Sequence, residues 1–199
     1  MKFYNKDNHI INIESVEFQE QELVRKYIKK DHIVLELGAR YGSVSCIINN
    51  IINDKNNQVS VEPDPQVWTA LDKNIKFNKC DINIVKGFIS NQKLELQYSN
   101  DEYATTSILS ENSNIPSYTL NYIMAKYNID KFNVLVADCE GFLEQFFNEN
   151  IIILNHLELI IFEADMPHKC NYDKIYKLLY SNGFIHIQKG FQNVFVKDD

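Results

Sequence analysis

The sequence predicts an α/β protein with a doubly wound parallel sheet, helices on both of its faces and an antiparallel hairpin at the C-terminal end. Short apolar runs alternate with amphipathic segments along the 199 residues, which is typical of repeated strand–helix–strand units. The last two apolar runs, 184–188 and 193–197, are too close for a parallel crossover. No linker-like composition divides the chain, so we expect one domain over 1–199, with 1–30 as a helical extension packed on it.

The pattern assigns each element in turn. We expect helices at 15–30, 43–52, 65–78, 117–127, 141–150 and 173–181, with Pro65 in the first turn of the third. Strands are expected at 33–37, 59–62, 82–88, 94–99, 132–138, 157–164, 184–188 and 193–197. Residues 102–116 have no strong period and predict a polar loop.

Composition excludes several partners. The net charge is −7 and the isoelectric point is about 5.3, whereas binding to nucleic acid needs clustered Lys and Arg. No apolar run approaches the ~20 residues that span a bilayer, and no signal peptide precedes the first helix. We therefore expect a cytoplasmic protein, in the host cytoplasm if the source is viral, that binds neither nucleic acid nor membrane. Four widely spaced cysteines predict free thiols.

The stretch VLELGARYGSV, 34–44, places two glycines between a predicted strand and a predicted helix. In an open parallel sheet, a ligand binds beyond the carboxyl ends of the strands, where a glycine turn lets it approach the backbone. The dinucleotide pattern G-x-G-x-x-G is broken, because Arg40 replaces its middle glycine. Glu36 would repel a pyrophosphate but suits a cationic group, and Glu62 is placed to bind both hydroxyls of a ribose. S-adenosylmethionine carries both features.

Several blocks in this order resemble the FkbM-like S-adenosylmethionine-dependent methyltransferases, over about residues 20–196. The resemblance rests on VLELGARYGSVS, VEPDP, IPSYTLNYI, LVADCEGFLEQFF, LELIIFE and NVFVK, and D-x-E-G at 138–141 is its most specific part. It implies a class I, Rossmann-like methyltransferase fold with a seven-stranded, mostly parallel sheet. It also implies O-methylation of a sugar, a glycan or another small molecule. The chain departs from the family at Arg40, where Asn is frequent.

The resemblance assigns a role to each candidate residue. The cofactor site would comprise Glu36, Gly38, Ala39, Gly42, Glu62, Pro63, Gly87, Phe88 and Asp138. The catalytic residues would be Asp138, Glu140, Glu163 and His168. The acceptor hydroxyl loses a proton during methyl transfer, so a base is required near the methyl group. A divalent cation on the acidic residues is an alternative that the spacing does not favour, so no metal ligand is assigned.

Other functions stay open at this level. A nicotinamide-dependent oxidoreductase could use a similar sheet, although the broken glycine pattern and the C-terminal hairpin oppose it. A second alternative is an inactive relative that binds the cofactor and serves as an interaction subunit. A third is methyl transfer to protein or RNA, and the absence of a basic stripe disfavours RNA.

Overall fold

A computed structural model describes residues 1–12, 17–98 and 105–198. Its strands are β1 (Phe3–Tyr4), β2 (Ile10–Ile11), β3 (Val34–Leu37), β4 (Gln58–Glu62), β5 (Asn83–Lys86), β6 (Phe88–Ile89), β7 (Leu94–Tyr98), β8 (Thr105–Leu109), β9 (Ser117–Tyr118), β10 (Val134–Ala137), β11 (Leu159–Glu163), β12 (Phe184–Gln188) and β13 (Gln192–Lys197). Its α-helices are α1 (Phe18–Tyr27), α2 (Ser43–Ile51), α3 (Trp68–Phe77), α4 (Leu120–Tyr127), α5 (Leu143–Glu149) and α6 (Tyr172–Ser181). Short 3-10 helices cover Lys55–Asn57 and Ile151–Asn155.

The central sheet contains seven strands in the order β12–β13–β11–β10–β3–β4–β5. Neighbouring strands are parallel except at β13, which is antiparallel to both β11 and β12. The chain first moves outwards from β3 to β4 and β5, and then returns to β10 on the other side of β3. Strand order therefore reverses between β3 and β10, the position at which open α/β sheets bind ligands. The predicted doubly wound sheet with its C-terminal hairpin is confirmed.

Alternate residues of the central strands pack on opposite faces. On β3, Leu35 and Leu37 belong to a large core that includes residues of α4, α5 and α6. Val34 belongs to the second core, which is built with residues of α1 and α2. Both faces of the central strands are buried, which explains why these strands are nearly continuous apolar runs.

Some helix boundaries differ from the prediction. The helix predicted from Pro65 begins at Trp68, because the Asp64 side chain accepts a hydrogen bond from the backbone of Gln66 (2.9 Å) and forms a turn first. The helix predicted over 117–127 begins at Leu120, and the Thr119 side chain caps it. Residues 117–118 form β9 instead, which pairs in parallel with β6.

The predicted polar loop at 102–116 is wrong in part. Residues 102–104 lie outside the described residues, and residues 105–109 form β8, which pairs antiparallel with β7. Thr105–Ile108 are half-buried on both faces, so no alternation of apolar and polar residues marks the strand. The β7–β8 hairpin forms a two-stranded sheet of its own, separate from the central sheet.

The N-terminal extension is only partly helical. Residues 3–4 and 10–11 form the small β1–β2 hairpin, and α1 covers 18–27 of the predicted 15–30, of which 15–16 are outside the described range. The buried Asn74 side chain holds β1, because its amide binds both the backbone nitrogen (2.9 Å) and the carbonyl oxygen (2.8 Å) of Tyr4. Among the helices described, none is both long and apolar enough to cross a bilayer.

Candidate active site

A cleft, partly open to solvent, lies at the carboxyl ends of the central strands. It lies where strand order reverses, so the residues that follow β3, β4, β5 and β10 all reach it. The β7–β8 hairpin and the residue preceding α1 complete its wall. The lining residues are Glu17, Leu37, Gly38, Arg40, Val61, Glu62, Pro63, Gly87, Phe88, Ile89, Leu96, Thr105, Ser107, Asp138, Cys139, Glu140 and Phe142.

Backbone packing fixes the floor of the cleft. The N–H groups of Gly38 and Ala39 both donate to the carbonyl oxygen of Val61, at 3.0 and 2.9 Å, and the N–H of Asp138 donates to Leu37 (3.0 Å). Gly38 has a φ of +94°, and a β-carbon there would lie 1.7 Å from the carbonyl oxygen of Asp138. This glycine therefore permits the close approach of two chain segments, in addition to any ligand.

Three residues predicted at the cofactor site lie behind the cleft wall. Ala39 is buried, and a β-carbon at Gly42 would lie 2.9 Å from the Leu71 side chain, so Gly42 packs against α3. Glu36 lies on the strand face that packs against α2. Its carboxylate accepts a short hydrogen bond from Ser60 Oγ, and burial raises its pKa to about 7. These positions shape the turn from beneath and do not line the cleft.

Glu62 ends β4 at the rim of the cleft. Its Oε2 accepts the backbone N–H of Arg40 (2.6 Å), and its Oε1 accepts that of Asp64 (2.7 Å). Burial raises its pKa to about 7, against the effect of these two hydrogen bonds. A carboxylate has about four acceptor positions, so each oxygen keeps one for a ligand. The side chain is thus held rigidly in the place predicted for a ribose-binding acid.

Asp138 and Glu140 follow β10 and face the cleft. Burial, together with the charges of Glu17 and Asp165, raises the pKa of Asp138 to about 7. Burial and a hydrogen bond with Asp165 raise that of Glu140 to about 9. Glu140 has a left-handed φ of +48°, an uncommon conformation for a residue other than glycine that is often found at functional sites. The backbone therefore aims two carboxyl groups with near-neutral or higher pKa values at one place.

The other predicted catalytic residues separate into two groups. Glu163 ends β11 beside Asp138, and burial and the Asp138 charge raise its pKa to about 8. His168 is exposed and lines a different surface depression together with Lys169 and Asn171. His168 is therefore not in the cleft: the chain after β11 turns away before reaching it.

Sequence reasoning missed two parts of the wall. Glu17, immediately before α1, lines the cleft and accepts a short hydrogen bond from Ser43 Oγ. Arg40 also lines it, and its charge acts on Glu17, Glu62 and Asp138. The D-x-E-G motif and the glycine turn gave no signal for Glu17, because its position depends on how α1 packs against α2.

The chemistry of the wall fits S-adenosylmethionine. Four carboxyl groups line the cleft, and Arg40 is the one cationic side chain among the described lining residues. A ligand with a sulfonium and an ammonium group complements this charge, whereas a pyrophosphate would meet several carboxylates at close range. Apolar side chains of Val61, Pro63, Phe88 and Ile89 offer a surface on which an adenine ring could pack.

Several solved structures have a similar fold. One is a ribosomal protein L11 methylase from Lactobacillus delbrueckii subsp. bulgaricus, which is 16% identical to this chain with a TM-score of 0.52. The match covers 91% of this chain and 78% of that one. Precorrin-6y C5,15-methyltransferase from Geobacter metallireducens GS-15 has 12% identity, a TM-score of 0.55 and coverage of 91% and 88%. Trm5 of Methanocaldococcus jannaschii, in complex with adenosine, has 16% identity, a TM-score of 0.50 and coverage of 92% and 48%.

The chain therefore has the Rossmann-like fold of class I methyltransferases. No protein-family model matches it, and no curated protein sequence matches it. The resemblance to FkbM-like methyltransferases accordingly stays a prediction from the sequence blocks.

Proposed function

We propose that this chain is an S-adenosylmethionine-dependent O-methyltransferase that acts on a hydroxyl group of a sugar or another small molecule. The observation that carries the proposal is the distribution of carboxylates in the cleft. Glu62 is fixed at one rim by two backbone N–H groups, and Asp138 and Glu140 face the cleft after β10. The first position suits a ribose, and the second suits a cationic centre and a proton to be removed.

The cofactor roles follow from these positions. Glu62 would bind the ribose hydroxyls, and Pro63, Gly87 and Phe88 would enclose the adenine. Glu17 and Asp138 would balance the positive charge of the amino acid part. Glu36 would act indirectly, by holding β3 and β4 together beneath the turn through Ser60.

Methyl transfer to a hydroxyl group requires a base and precise positioning of the two reactants, and it requires no covalent intermediate with the protein. When bound, the cofactor supplies an electrophilic methyl group, whose bond to sulfur breaks as its bond to the acceptor oxygen forms. The proton of the acceptor hydroxyl passes to a carboxylate at the end of β10. Asp138 and Glu140 are the two groups that reach this place, and a pKa raised to about 7 suits Asp138 as the group that gains the proton near neutral pH. The products are S-adenosylhomocysteine and the methyl ether.

The walls of the cleft favour a small neutral acceptor. Thr105 and Ser107 of β8 line the cleft and offer hydroxyl groups to a polyhydroxylated ligand. The carboxylates at the end of β10 would repel the phosphates of RNA. The L11 methylase and the precorrin methyltransferase share the fold but are named for different acceptors, so the fold does not select one. The sequence blocks that resemble FkbM-like enzymes favour a sugar or glycan hydroxyl.

Calorimetric titration of the purified protein with S-adenosylmethionine, S-adenosylhomocysteine and NAD tests the cofactor class. We expect micromolar binding of the first two, roughly −8 kcal/mol, and none of NAD. Glu62→Gln should weaken binding at least tenfold. The matched control is Glu95→Gln, which changes an exposed acid of β7. Binding of NAD alone would overturn the proposal in favour of an oxidoreductase.

Transfer itself needs a second experiment. Methyl-labelled cofactor is incubated with a panel of sugars, phenols, a peptide and an RNA, and labelled products are separated. Label on a sugar or phenol oxygen supports the proposal, and label on peptide or RNA contradicts the acceptor class. Cofactor binding without transfer to any member of the panel would favour an inactive, cofactor-binding subunit.

A further inference from the structure

Two cysteines outside the cleft, Cys46 and Cys80, lie side by side. Cys46 belongs to α2 and is fully buried, whereas Cys80 follows α3 and is half-buried. Both are free thiols, and each has the other as a hydrogen-bond partner. They are far apart in the sequence, so the packing of α2 beside the end of α3 brings them together. Neither residue lines the cleft, so the proposed reaction does not use this pair.

The amide of Asn49 fixes the chain next to Cys80. Asn49 lies one helical turn after Cys46, so both side chains are on the same face of α2. Its Nδ2 donates to the carbonyl oxygen of Asp81 (2.7 Å), and its Oδ1 accepts the backbone N–H of Asp81 (3.1 Å). The N–H of Cys80 itself donates to the carbonyl oxygen of Ile75 (3.0 Å). The backbone of Cys80 is thus held on both sides, and its thiol stays next to Cys46.

A nearby cation favours the thiolate form of Cys80. The Lys55 ammonium group donates to the carbonyl oxygens of Asn49 and Ile52 at the end of α2, and its charge acts on Cys80. The hydrogen bond with Cys46 and this charge lower the pKa of Cys80, although burial opposes them. The same hydrogen bond and burial raise the pKa of Cys46, which therefore keeps its proton. Reactive cysteines are found in partly exposed, electropositive surroundings such as those of Cys80.

The other two cysteines have the opposite tendency. Burial raises the pKa of Cys139 and raises that of Cys170 to about 11, so both thiols keep their protons near neutral pH. Thiols in this form react slowly with oxidants, because the thiolate is the nucleophile. Cys170 therefore serves as an internal comparison for the reactivity of Cys80.

We propose that Cys46 and Cys80 form a site of reversible oxidation, at which a hydroperoxide converts the two thiols to a disulfide. The Cys80 thiolate attacks one oxygen of hydrogen peroxide, the O–O bond breaks and hydroxide leaves, which makes Cys80 a sulfenic acid. The Cys46 sulfur then bonds to the Cys80 sulfur while the S–O bond breaks, and the leaving hydroxyl group takes the Cys46 proton to become water. The two sulfurs lose two electrons in total, and the peroxide gains them. A dithiol reverses the reaction by thiol–disulfide exchange.

The disulfide would join α2 to the end of α3 across a loop that contains β4 and α3. Closing a long loop restricts the unfolded chain, so the oxidised protein should be the more stable form. The link would also fix α2, the helix that begins at the glycine turn, although no lining residue of the cleft takes part. The proposal therefore holds or fails independently of methyl transfer.

Peptide mapping after mild oxidation tests the site. Folded, reduced protein is treated with about two equivalents of hydrogen peroxide, the remaining thiols are alkylated, and the peptides are analysed by mass spectrometry. We expect a peptide pair linked through Cys46 and Cys80, which dithiothreitol separates. Cys80 should react at least about tenfold faster than Cys170. Links that involve other cysteines instead, or alkylation of all four cysteines, would overturn the proposal.

Two serine variants separate the roles of the two sulfurs. In Cys46→Ser the sulfenic acid on Cys80 has no thiol beside it, so dimedone should label Cys80. Cys80→Ser should lose both the label and the disulfide. The matched control is Cys170→Ser, which removes another buried thiol and should form the disulfide as the wild type does. Labelling of Cys46 in Cys80→Ser at the rate seen for Cys80 would contradict the assigned roles.

Thermal unfolding of the wild-type protein needs no variant, so it stays informative if a serine variant is unstable. The oxidised form should melt at least about 5 °C higher than the reduced form, and dithiothreitol should remove the difference. Equal melting temperatures, or a link between Cys46 and Cys80 that forms only in urea, would show that the two thiols do not meet in the folded protein.

Discussion

The backbone carbonyl oxygen of Asp138 lies 1.7 Å from the position that a β-carbon on Gly38 would occupy. The turn after β3 and the end of β10 are therefore in contact through backbone alone. Any side chain at Gly38 must move Asp138, whose carboxyl group lines the cleft. The glycine couples the cofactor turn to the proposed catalytic carboxylate.

Gly38→Ala should consequently be severe. We expect loss of about 3 kcal/mol or more of unfolding free energy, because steric overlap with backbone adds to the strain of a left-handed φ. The matched control is Gly183→Ala: Gly183 has a φ of +79°, but nothing lies within 4 Å of its added β-carbon. That variant should lose only about 1 kcal/mol. Urea denaturation measures both, and equal losses would show that overlap at Gly38 is not the cause.

Stability should depend on pH through Glu36. Burial raises its pKa from 4.5 to about 7, so the folded state binds the proton more tightly than the unfolded state. Its contribution is complete below about pH 4.5 and is lost as the pH rises through about 7. Glu36→Gln should remove up to about 3 kcal/mol of the fall in unfolding free energy between these pH values. Denaturant titrations across that range compare it with Glu95→Gln; identical pH profiles of wild type and Glu36→Gln would contradict the assignment.

Asp138→Asn should separate catalysis from cofactor binding. The amide retains the size of the side chain but cannot take a proton or hold the acceptor in the same way. We expect turnover to fall at least about 100-fold, while affinity for S-adenosylhomocysteine changes by less than about tenfold. Asp72→Asn should leave both unchanged. A variant with more than half of the wild-type turnover would remove Asp138 from the mechanism.

Asn74 of α3 should stabilise the protein by holding β1 in place. Its buried amide donates to the carbonyl oxygens of Tyr4 and Tyr41 (2.8 and 2.9 Å) and accepts the N–H of Tyr4. Asn74→Ala leaves these backbone groups without partners and should cost about 2–3 kcal/mol. Asn78→Ala, which removes more exposed bonds to Lys2, should cost less. Thermal unfolding decides the order of the two variants, and a reversed order would refute it.

The central sheet was predictable because its strands are buried on both faces and separated by turn residues. The existence of β3, β4, β5, β10 and β11 and the terminal hairpin follow from that alternation, whereas their order in the sheet comes from the structure. The β7–β8 hairpin was not predictable, because the half-buried residues Thr105–Ile108 show no alternation of apolar and polar side chains. A pattern predicts a strand where both faces are buried, which gives a continuous apolar run, or where one face is buried and the other exposed, which gives alternation.

The candidate site divides in a similar way. Residues at strand ends, such as Glu62 and Asp138, were predictable because parallel strands bring their carboxyl ends to one edge. Glu17 was not, since it meets Ser43 across 26 residues through the packing of α1 on α2. His168 was expected beside the others but lies at a different depression, because sequence distance from β11 does not give the direction in which the chain continues.

The β7–β8 hairpin contributes Leu96, Thr105 and Ser107 to the cleft but no strand to the central sheet. Leu94 and Leu96 of the same hairpin belong to the large core, so they tie it to the central sheet. The hydroxyl residues that it presents to the cleft can therefore be exchanged without altering the scaffold that carries the glycine turn, provided that these two leucines are kept.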